Sequence, residues 1–446
     1  MMFAGLFVKN RQHIKYYAIA GTIIAFLANW CDGHQLAGGG SVILHGMVEV
    51  SSFSILFNGI AIACTFLYFV MCGSAFEKVG DDVADYFALV FFILAGITLT
   101  ASFSNLLMLF LAIEIISIPQ YILAGADKKN LKSNEASLKY FLMGSFTTGI
   151  LLMGIALLYG ASGTFNIREM ALGTGDLSPL ALCGILLTGF ALAFKVSAAP
   201  FHFWTPDVYD GSPTVFTAFM ATIVKAASFI AFIRLFHVSF SEGSITGQWQ
   251  LIVALITAAT LLIGNFTAVF QQSVKRMLAY SSIAQAGFML FAIVAFNETA
   301  VQGIILYAIA YSVATIGIFS ILLKLKDYTF EGYNGLGRTQ PLLALANTVF
   351  LLSLAGIPLT AGFFAKYFLL SAVVQQGNLL WLVILGVLCA AISAYYYFRV
   401  IMAMYFKPGE AATTAPITGG FKSVLVVAVA IVIILGIFPN LVLQFL

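Results

Sequence analysis

Apolar runs about as long as a membrane-crossing α-helix recur from one end of the chain to the other. They predict helices near 16–30, 51–73, 84–100, 103–126, 136–160, 179–209, 213–239, 249–270, 277–296, 300–323, 341–374, 379–406 and 421–444, thirteen in all. Helices are expected because a backbone exposed to lipid must satisfy its own hydrogen bonds. Strand-like alternation is missing from these runs, which argues against a barrel. Two of the segments, 179–209 and 341–374, are too long for one crossing and contain Pro200 and Pro358. Proline removes a backbone donor and clashes with the preceding turn, so both should be broken helices.

The broken helices are the sixth and the eleventh. Their offset suggests two five-helix units, 84–239 and 249–406, preceded by two helices within 1–83 and followed by one in 421–446. An odd offset gives the units opposite orientation, the inverted-repeat plan of transporters, where interrupted helices mark the site near the midplane. The expected fold is all-α, a polytopic membrane helix bundle of about 13 transmembrane helices with two inverted five-helix repeats. Alternate loops sort the basic residues. One side takes Lys9, Arg11, Lys15, Lys78, Lys128, Lys129, Lys132, Lys139, Lys275, Arg276, Lys324, Lys326, Arg338, Arg399, Lys407 and Lys422, and the other only Arg168 and Arg234. The amino terminus is therefore expected in the cytoplasm and the carboxyl terminus on the opposite side.

Composition excludes a soluble domain. Of the 446 residues 61% are hydrophobic and 9% charged, against about 25% charged in an average soluble protein. The net charge of +3 is spread over short loops and forms no patch for nucleic acid. Cys31, Cys64, Cys72, Cys183 and Cys389 lie in or beside apolar runs, without a Cys-x-x-Cys or a Cys/His cluster. Neither zinc nor an iron–sulfur cluster is encoded. A phosphate-binding glycine loop is also lacking. Lys9, Arg11 and Lys15 ahead of an apolar run resemble a signal peptide, but no small-residue cleavage site follows, so the run reads as a retained first helix.

Four charges stand where lipid forbids them. Glu114 and Lys225 fall at the middle of their spans, Lys195 just before the break at Pro200, and Lys366 after the break at Pro358. A charge at the bilayer centre costs roughly 2.5–3.5 kcal/mol on insertion scales, so the default reading is an ion or proton pathway. A structural ion pair would account for Glu114 with one lysine, but one acid cannot neutralise three lysines. A desolvated lysine is also a group that can exchange its proton near neutral pH. Thr257, Thr260, Asn265, Thr267, Ser281, Ser282, Gln285, Tyr311, Ser312 and Thr315 could link these charges through water. Isolated Ser and Thr in such helices more often bond their own backbone or a neighbouring helix.

The run FKVSAAPFHFWTPDVYDGSP from Phe194 to Pro213, followed by Lys225, resembles the signature of the antiporter-like subunits of respiratory complex I. LFLAIEIISIPQYILAG around Glu114, NEASLKYFL around Lys139, SVKRMLAYSSIAQAGF from Ser273 and SLAGIPLTAGFFAKYFLL around Lys366 are similar to the same family. The lysine at position 366, the YSSI run and a chain that stops at its last spanning helix resemble one branch of it.

The resemblance implies a proton-translocating subunit of the membrane arm, driven by quinone reduction elsewhere, in a bacterial inner membrane. It implies that Glu114 pairs with Lys195, that Lys225 centres a hydrated axis and that Lys366 serves the exit, with Lys139, His202, Tyr311, Ser312 and Gln285 in support. No cofactor is expected in this chain; FMN, iron–sulfur clusters and quinone belong to partner subunits. The expected partners are the other membrane-arm subunits, neighbouring antiporter-like ones included, and the lipid bilayer. A subunit of a multi-subunit cation/proton antiporter or of a membrane-bound hydrogenase is the alternative. Two features depart from the family. Its members usually have a further helix before the first one found here, and often carry histidine where this chain has Gln285, which cannot titrate.

Overall fold

A computed structural model describes residues 1–8, 11–35, 40–170, 178–240, 245–414 and 416–446. Lys9, assigned above to the basic side, lies outside the described residues. The chain opens with a short helix the apolar pattern did not predict, α1 (Met2–Phe7), and runs on through α2 (Arg11–Gln35), α3 (Ser52–Cys72), α4 (Val83–Ser102), α5 (Leu106–Ala124) and α6 (Leu131–Ser162). An interrupted pair follows, α7 (Pro179–Lys195) and α8 (Trp204–Gly211). Next come α9 (Thr214–Phe219), a π-helical turn over Met220–Val224, α10 (Lys225–Ser239), α11 (Ile245–Val269), α12 (Val274–Ala295) and α13 (Glu298–Leu322). After α14 (Leu336–Thr339) the second interrupted pair is α15 (Pro341–Ala355) and α16 (Ala361–Gln376). The chain closes with α17 (Leu380–Phe406), α18 (Gly419–Ile437) and α19 (Asn440–Leu443).

Among the described residues, 11 continuous helical segments are long and apolar enough to cross a membrane. α7 and the α15–α16 pair are the interrupted segments, and their breaks hold Pro200 and Pro358 as the sequence predicts. The last predicted helix, 421–444, divides at Phe438 and Pro439 into α18 and α19. Polar caps set the starts of the helices: Asn105, Asn130 and Asn297 accept from the first-turn amides of Leu107, Lys132 and Ala300. Each satisfies a donor that the helix itself leaves open.

α12, α13 and the segment Thr214–Ser239 are buried almost throughout, and the other helices wrap them. Outward positions are apolar, among them Phe141, Phe146, Leu388 and Val427, as a surface in lipid requires. A β-hairpin missing from the sequence reading joins α2 to α3: β1 (Ser41–Ile43) pairs antiparallel with β2 (Val48–Val50). Its Glu49 bonds Arg168 and Arg234, while Arg234 Nε also donates to the Phe103 carbonyl at 2.6 Å. The two basic residues assigned to the sparse side are therefore tied together. On the opposite ends Arg11 meets Asp81 at 2.7 Å, Lys128 meets Asp82 at 3.8 Å and Arg276 meets Asp207 at 3.2 Å.

Candidate functional site

Glu114 projects from the middle of α5 on a half-buried face and accepts a hydrogen bond from Thr148 Oγ1 of α6 at 2.8 Å. Lys195 is the last residue of α7, and its Nζ donates to Ser117 Oγ at 2.7 Å, one turn beyond Glu114 on α5. The two charges share a helix face without a direct ion pair; each is held by a hydroxyl. The Tyr121 ring lies 5.9 Å from the Lys195 ammonium.

A cavity of about 20 Å³ opens beside Lys195, between Ser117, Gln120 and Tyr140 on one wall and Val224 and Ser228 on the other. Val224 closes the π-helical turn, and Lys225 follows it directly. Such a turn adds a residue to the helix and is common at functional positions. Lys225, 2% exposed, donates to both the carbonyl and the hydroxyl of Ser282 on α12, at 2.8 and 2.9 Å.

α12 then carries the polar line to the second break. Ser281 bonds the Tyr397 hydroxyl, which accepts from Gln285 Nε2 at 3.0 Å. Gln285 Nε2 also donates to the Leu354 carbonyl at 2.9 Å, and Gln285 Oε1 accepts from Tyr307. Lys366, 6% exposed, reaches back from α16 to the last turn of α15, donating to Leu354 O at 2.8 Å and Ala355 O at 3.0 Å. The carbonyls at the end of a helix lack partners within it and carry the negative end of its dipole, so an ammonium is well placed there. Gly356 makes the turn possible with φ +85°, and a Cβ on it would stand 2.9 Å from Lys366 Cδ.

Of the supporting positions, Gln285 joins this line. The Tyr311 hydroxyl is buried beside it with no protein partner, as is Thr315 Oγ1. Ser312 lies against Cys64. His202 is buried in the first break, where its Nδ1 has no protein partner. Lys139 stands apart in the first turns of α6, paired with Glu135 at 2.8 Å and Asp207 at 2.9 Å. Thr257, Thr260, Asn265 and Thr267 all donate to the carbonyl four residues back in α11. The bland reading holds for them, although Thr260 also accepts from the Ala199 amide at 2.9 Å in the first break.

Sequence reasoning missed Ser117, Thr148, Tyr307 and Tyr397, because a single hydroxyl in an apolar helix carries no signal until its partner is placed. It also put Lys275 in a loop. Lys275 is 5% exposed, and its Nζ donates to the Asp210 and Ser212 carbonyls, both at 2.7 Å. That clamp ties α12 to the end of α8.

Residues 104–393, the stretch holding this line of lysines, match the family model described as NADH:quinone oxidoreductase/Mrp antiporter, TM. The chain belongs to this family. It is 42% identical over 404 residues to the NADH-quinone oxidoreductase subunit N of Cytophaga hutchinsonii, covering 90% of this chain and 88% of that one. It is 40% identical to the subunit N of Trichlorobacter lovleyi, covering 98% and 90%. Among solved structures it is similar to a chain of respiratory complex I from Thermus thermophilus, with a TM-score of 0.84, 32% identity and coverage of 99% and 95%. The family agrees with the resemblance read from the motifs around Glu114, Lys195, Lys225 and Lys366.

Proposed function

We propose that the chain is a proton-translocating, non-redox subunit of an NADH-quinone oxidoreductase membrane arm, moving H⁺ along Glu114, Lys195, Lys225 and Lys366. One observation carries the reading: the three lysines, Lys225 and Lys366 fully buried, donate only to neutral oxygens of Ser117, Ser282, Leu354 and Ala355. A structural ammonium inside a membrane protein is expected beside a carboxylate, and these have none in direct contact among the described residues. A proton held only by neutral oxygens can be passed on.

The relay works by electrostatics. With Glu114 turned towards Lys195, the ammonium is stabilised and keeps its proton; with Glu114 held by Thr148, as here, that support weakens and the proton moves towards Lys225 and then Lys366. Lys139, Asp207 and Arg276 hold the units 84–239 and 249–406 in register at one surface. Packing supports reading these as repeats: α6 packs on both α7 and α8, and α13 on both α15 and α16.

The chain resides in a bacterial inner membrane with its amino terminus in the cytoplasm, beside other antiporter-like subunits. FMN, iron–sulfur clusters and quinone are held by partner subunits, and electrons do not enter this chain. The test is Lys225→Ala in the intact complex, with NADH-driven proton uptake measured in membrane vesicles. Uptake should be lost while the complex still assembles; uptake at the wild-type rate would overturn the reading.

A further inference from the structure

Away from the line of buried lysines, four helix ends bring a second set of charges together on the side that collects the basic residues. Lys15 lies in the second turn of α2, and its stem packs on the turn Gly73–Lys78 that follows α3: a Cβ on Gly73 would stand 3.3 Å from Lys15 Cγ. Its Nζ donates to the Val70 carbonyl of α3 at 3.0 Å, one of the three bonds an ammonium can give. Lys78 is the last residue of that turn and is exposed. Lys324, two residues beyond α13, stands beside Cys72 and Lys78, and its ammonium lies 5.0 Å from the ring of Phe421 in the first turn of α18.

Three cations therefore meet where α2, α3 and α13 end, with one acid, Glu77, on the same turn. Among the described residues none of the three has a carboxylate at ion-pair distance, and neither Lys78 nor Lys324 has a hydrogen-bond partner for its ammonium. On the same side Arg11, Lys128 and Arg276 each meet an aspartate. Burial pushes Lys324 below its ordinary pKa, and the like charge of Lys78 pushes it further. Half-buried ammonium groups crowded in this way call for an anion.

The level of the cluster says which anion. Lys15 stands where the apolar run of α2 begins, and Lys324 and Phe421 where α13 ends and α18 starts. That is where a bilayer keeps its phosphates, and basic pockets between spanning helices are binding places for anionic head groups. Further along the same helices the outward positions are apolar and more than a third exposed, Ile23 on α2, Phe66 on α3 and Val427 on α18. A soluble anion would use the charges alone, whereas a phospholipid uses the charges and the apolar wall together.

We propose that Lys15, Lys78 and Lys324 hold the phosphate of an anionic phospholipid, with Phe421 beside it and the acyl chains laid along α2, α3 and α18. Of the described spans α2 is the least buried, so the lipid would tie down the helix that the bundle itself holds least. The site lies off the proposed proton relay and does not rest on it.

The test places a benzophenone at Ser74, an exposed position on the turn that Lys15 packs against. Intact complex carrying Ser74→benzoylphenylalanine is reconstituted in phosphatidylcholine vesicles with about 20 mol% phosphatidylglycerol and illuminated, and the mass of this subunit is read for attached lipid. The ratio of phosphatidylglycerol to phosphatidylcholine adducts should exceed the vesicle ratio at least about fivefold. Lys15→Gln/Lys324→Gln should remove most of that excess. Lys129→Gln/Lys407→Gln, which takes the same charge from exposed positions elsewhere on that side, should leave it in place. An equal fall in both double variants would mean diffuse attraction to a basic surface and would overturn the site. Adducts that mirror the vesicle composition would overturn it as well. So would loss of the phosphatidylglycerol excess to added inorganic phosphate at matched ionic strength, which would make the ligand a free anion, or attachment to a partner subunit with no lipid adduct, which would make the lysines a protein contact.

Discussion

Gln285 and Lys366 donate to the same oxygen, the Leu354 carbonyl at the end of α15, at 2.9 and 2.8 Å. Lys366 alone also serves Ala355 O, so it has two separable duties: closing a helix end and, in the proposed relay, carrying a proton. Lys366→Ala should lose both, with a stability cost of about 1–3 kcal/mol from the carbonyl left without a donor. Lys366→Arg keeps the donors and the charge but will not release its proton near pH 7. It should therefore melt close to the wild type while its proton uptake is nearly as low as that of the alanine variant. Thermal unfolding and vesicle uptake, measured on both, separate the duties; an arginine variant that pumps normally would reduce position 366 to a fixed charge.

Gly356 and Gly377 both end helices with positive φ, +85° and +78°. Alanine at either should cost about 1–2 kcal/mol through the left-handed backbone. The surroundings differ: a Cβ at Gly356 would meet Lys366 Cδ at 2.9 Å, whereas at Gly377 nothing lies within 4 Å. Proton uptake should thus fall in Gly356→Ala by several-fold and stay near the wild-type rate in Gly377→Ala, although both carry the same backbone cost. Equal uptake in the pair would mean that the contact with Lys366 does not matter.

The sequence was most informative where a single residue violates its surroundings. Glu114, Lys195, Lys225 and Lys366 stand out because charge is costly in lipid, and Pro200 and Pro358 because they interrupt apolar runs too long for one crossing. The hairpin of residues 41–50 stayed hidden, because its two strands are three residues each and carry no periodicity long enough to detect. Lys275 was misread for a related reason. It sits beside Arg276 near a helix start, where a loop cation is the normal expectation, and only the approach of the Asp210 and Ser212 carbonyls makes it a buried clamp. Hydrogen-bond partners such as Ser117 and Tyr397 depend on how helices rotate against each other, which a one-dimensional pattern does not encode.

The proposed orientation makes a labelling prediction. In a Cys31→Ser, Cys183→Ser background, which removes the exposed native thiols, single cysteines at Lys129 and Arg338 should react with an impermeant maleimide only from the cytoplasmic face. Cysteines at Arg168 and Leu446 should react only from the other. The structure is consistent with this at the carboxyl end: Leu441, Val442 and Phe445 share a groove with Trp30, Ser52 and Ile55, at the ends of α2 and α3 remote from Lys15 and Lys78. Labelling of positions 129 and 446 from the same face would require an even number of crossings.

Glu114 and Lys195 make the last prediction, because each is held by a hydroxyl on its own side, Glu114 by Thr148 and Lys195 by Ser117. If Glu114 acts by moving between Thr148 and Lys195, then removing either hydroxyl biases the pair without removing a charge. Thr148→Val takes away the competing donor, leaving Glu114 free to hold the Lys195 proton, and should slow release. Ser117→Ala takes away the neutral acceptor of Lys195 and should push the ammonium towards Glu114, with the same outcome. Each should lower proton uptake by about 2- to 10-fold, the effect of roughly 0.5–1.5 kcal/mol for one hydrogen bond. Glu114→Gln abolishes the attraction altogether, and in that background Thr148→Val should have little further effect, since there is no charge left for Thr148 to compete over. Additive losses in the Glu114→Gln/Thr148→Val pair would show that Thr148 acts independently of the carboxylate, and full uptake in Glu114→Gln would remove Glu114 from the relay.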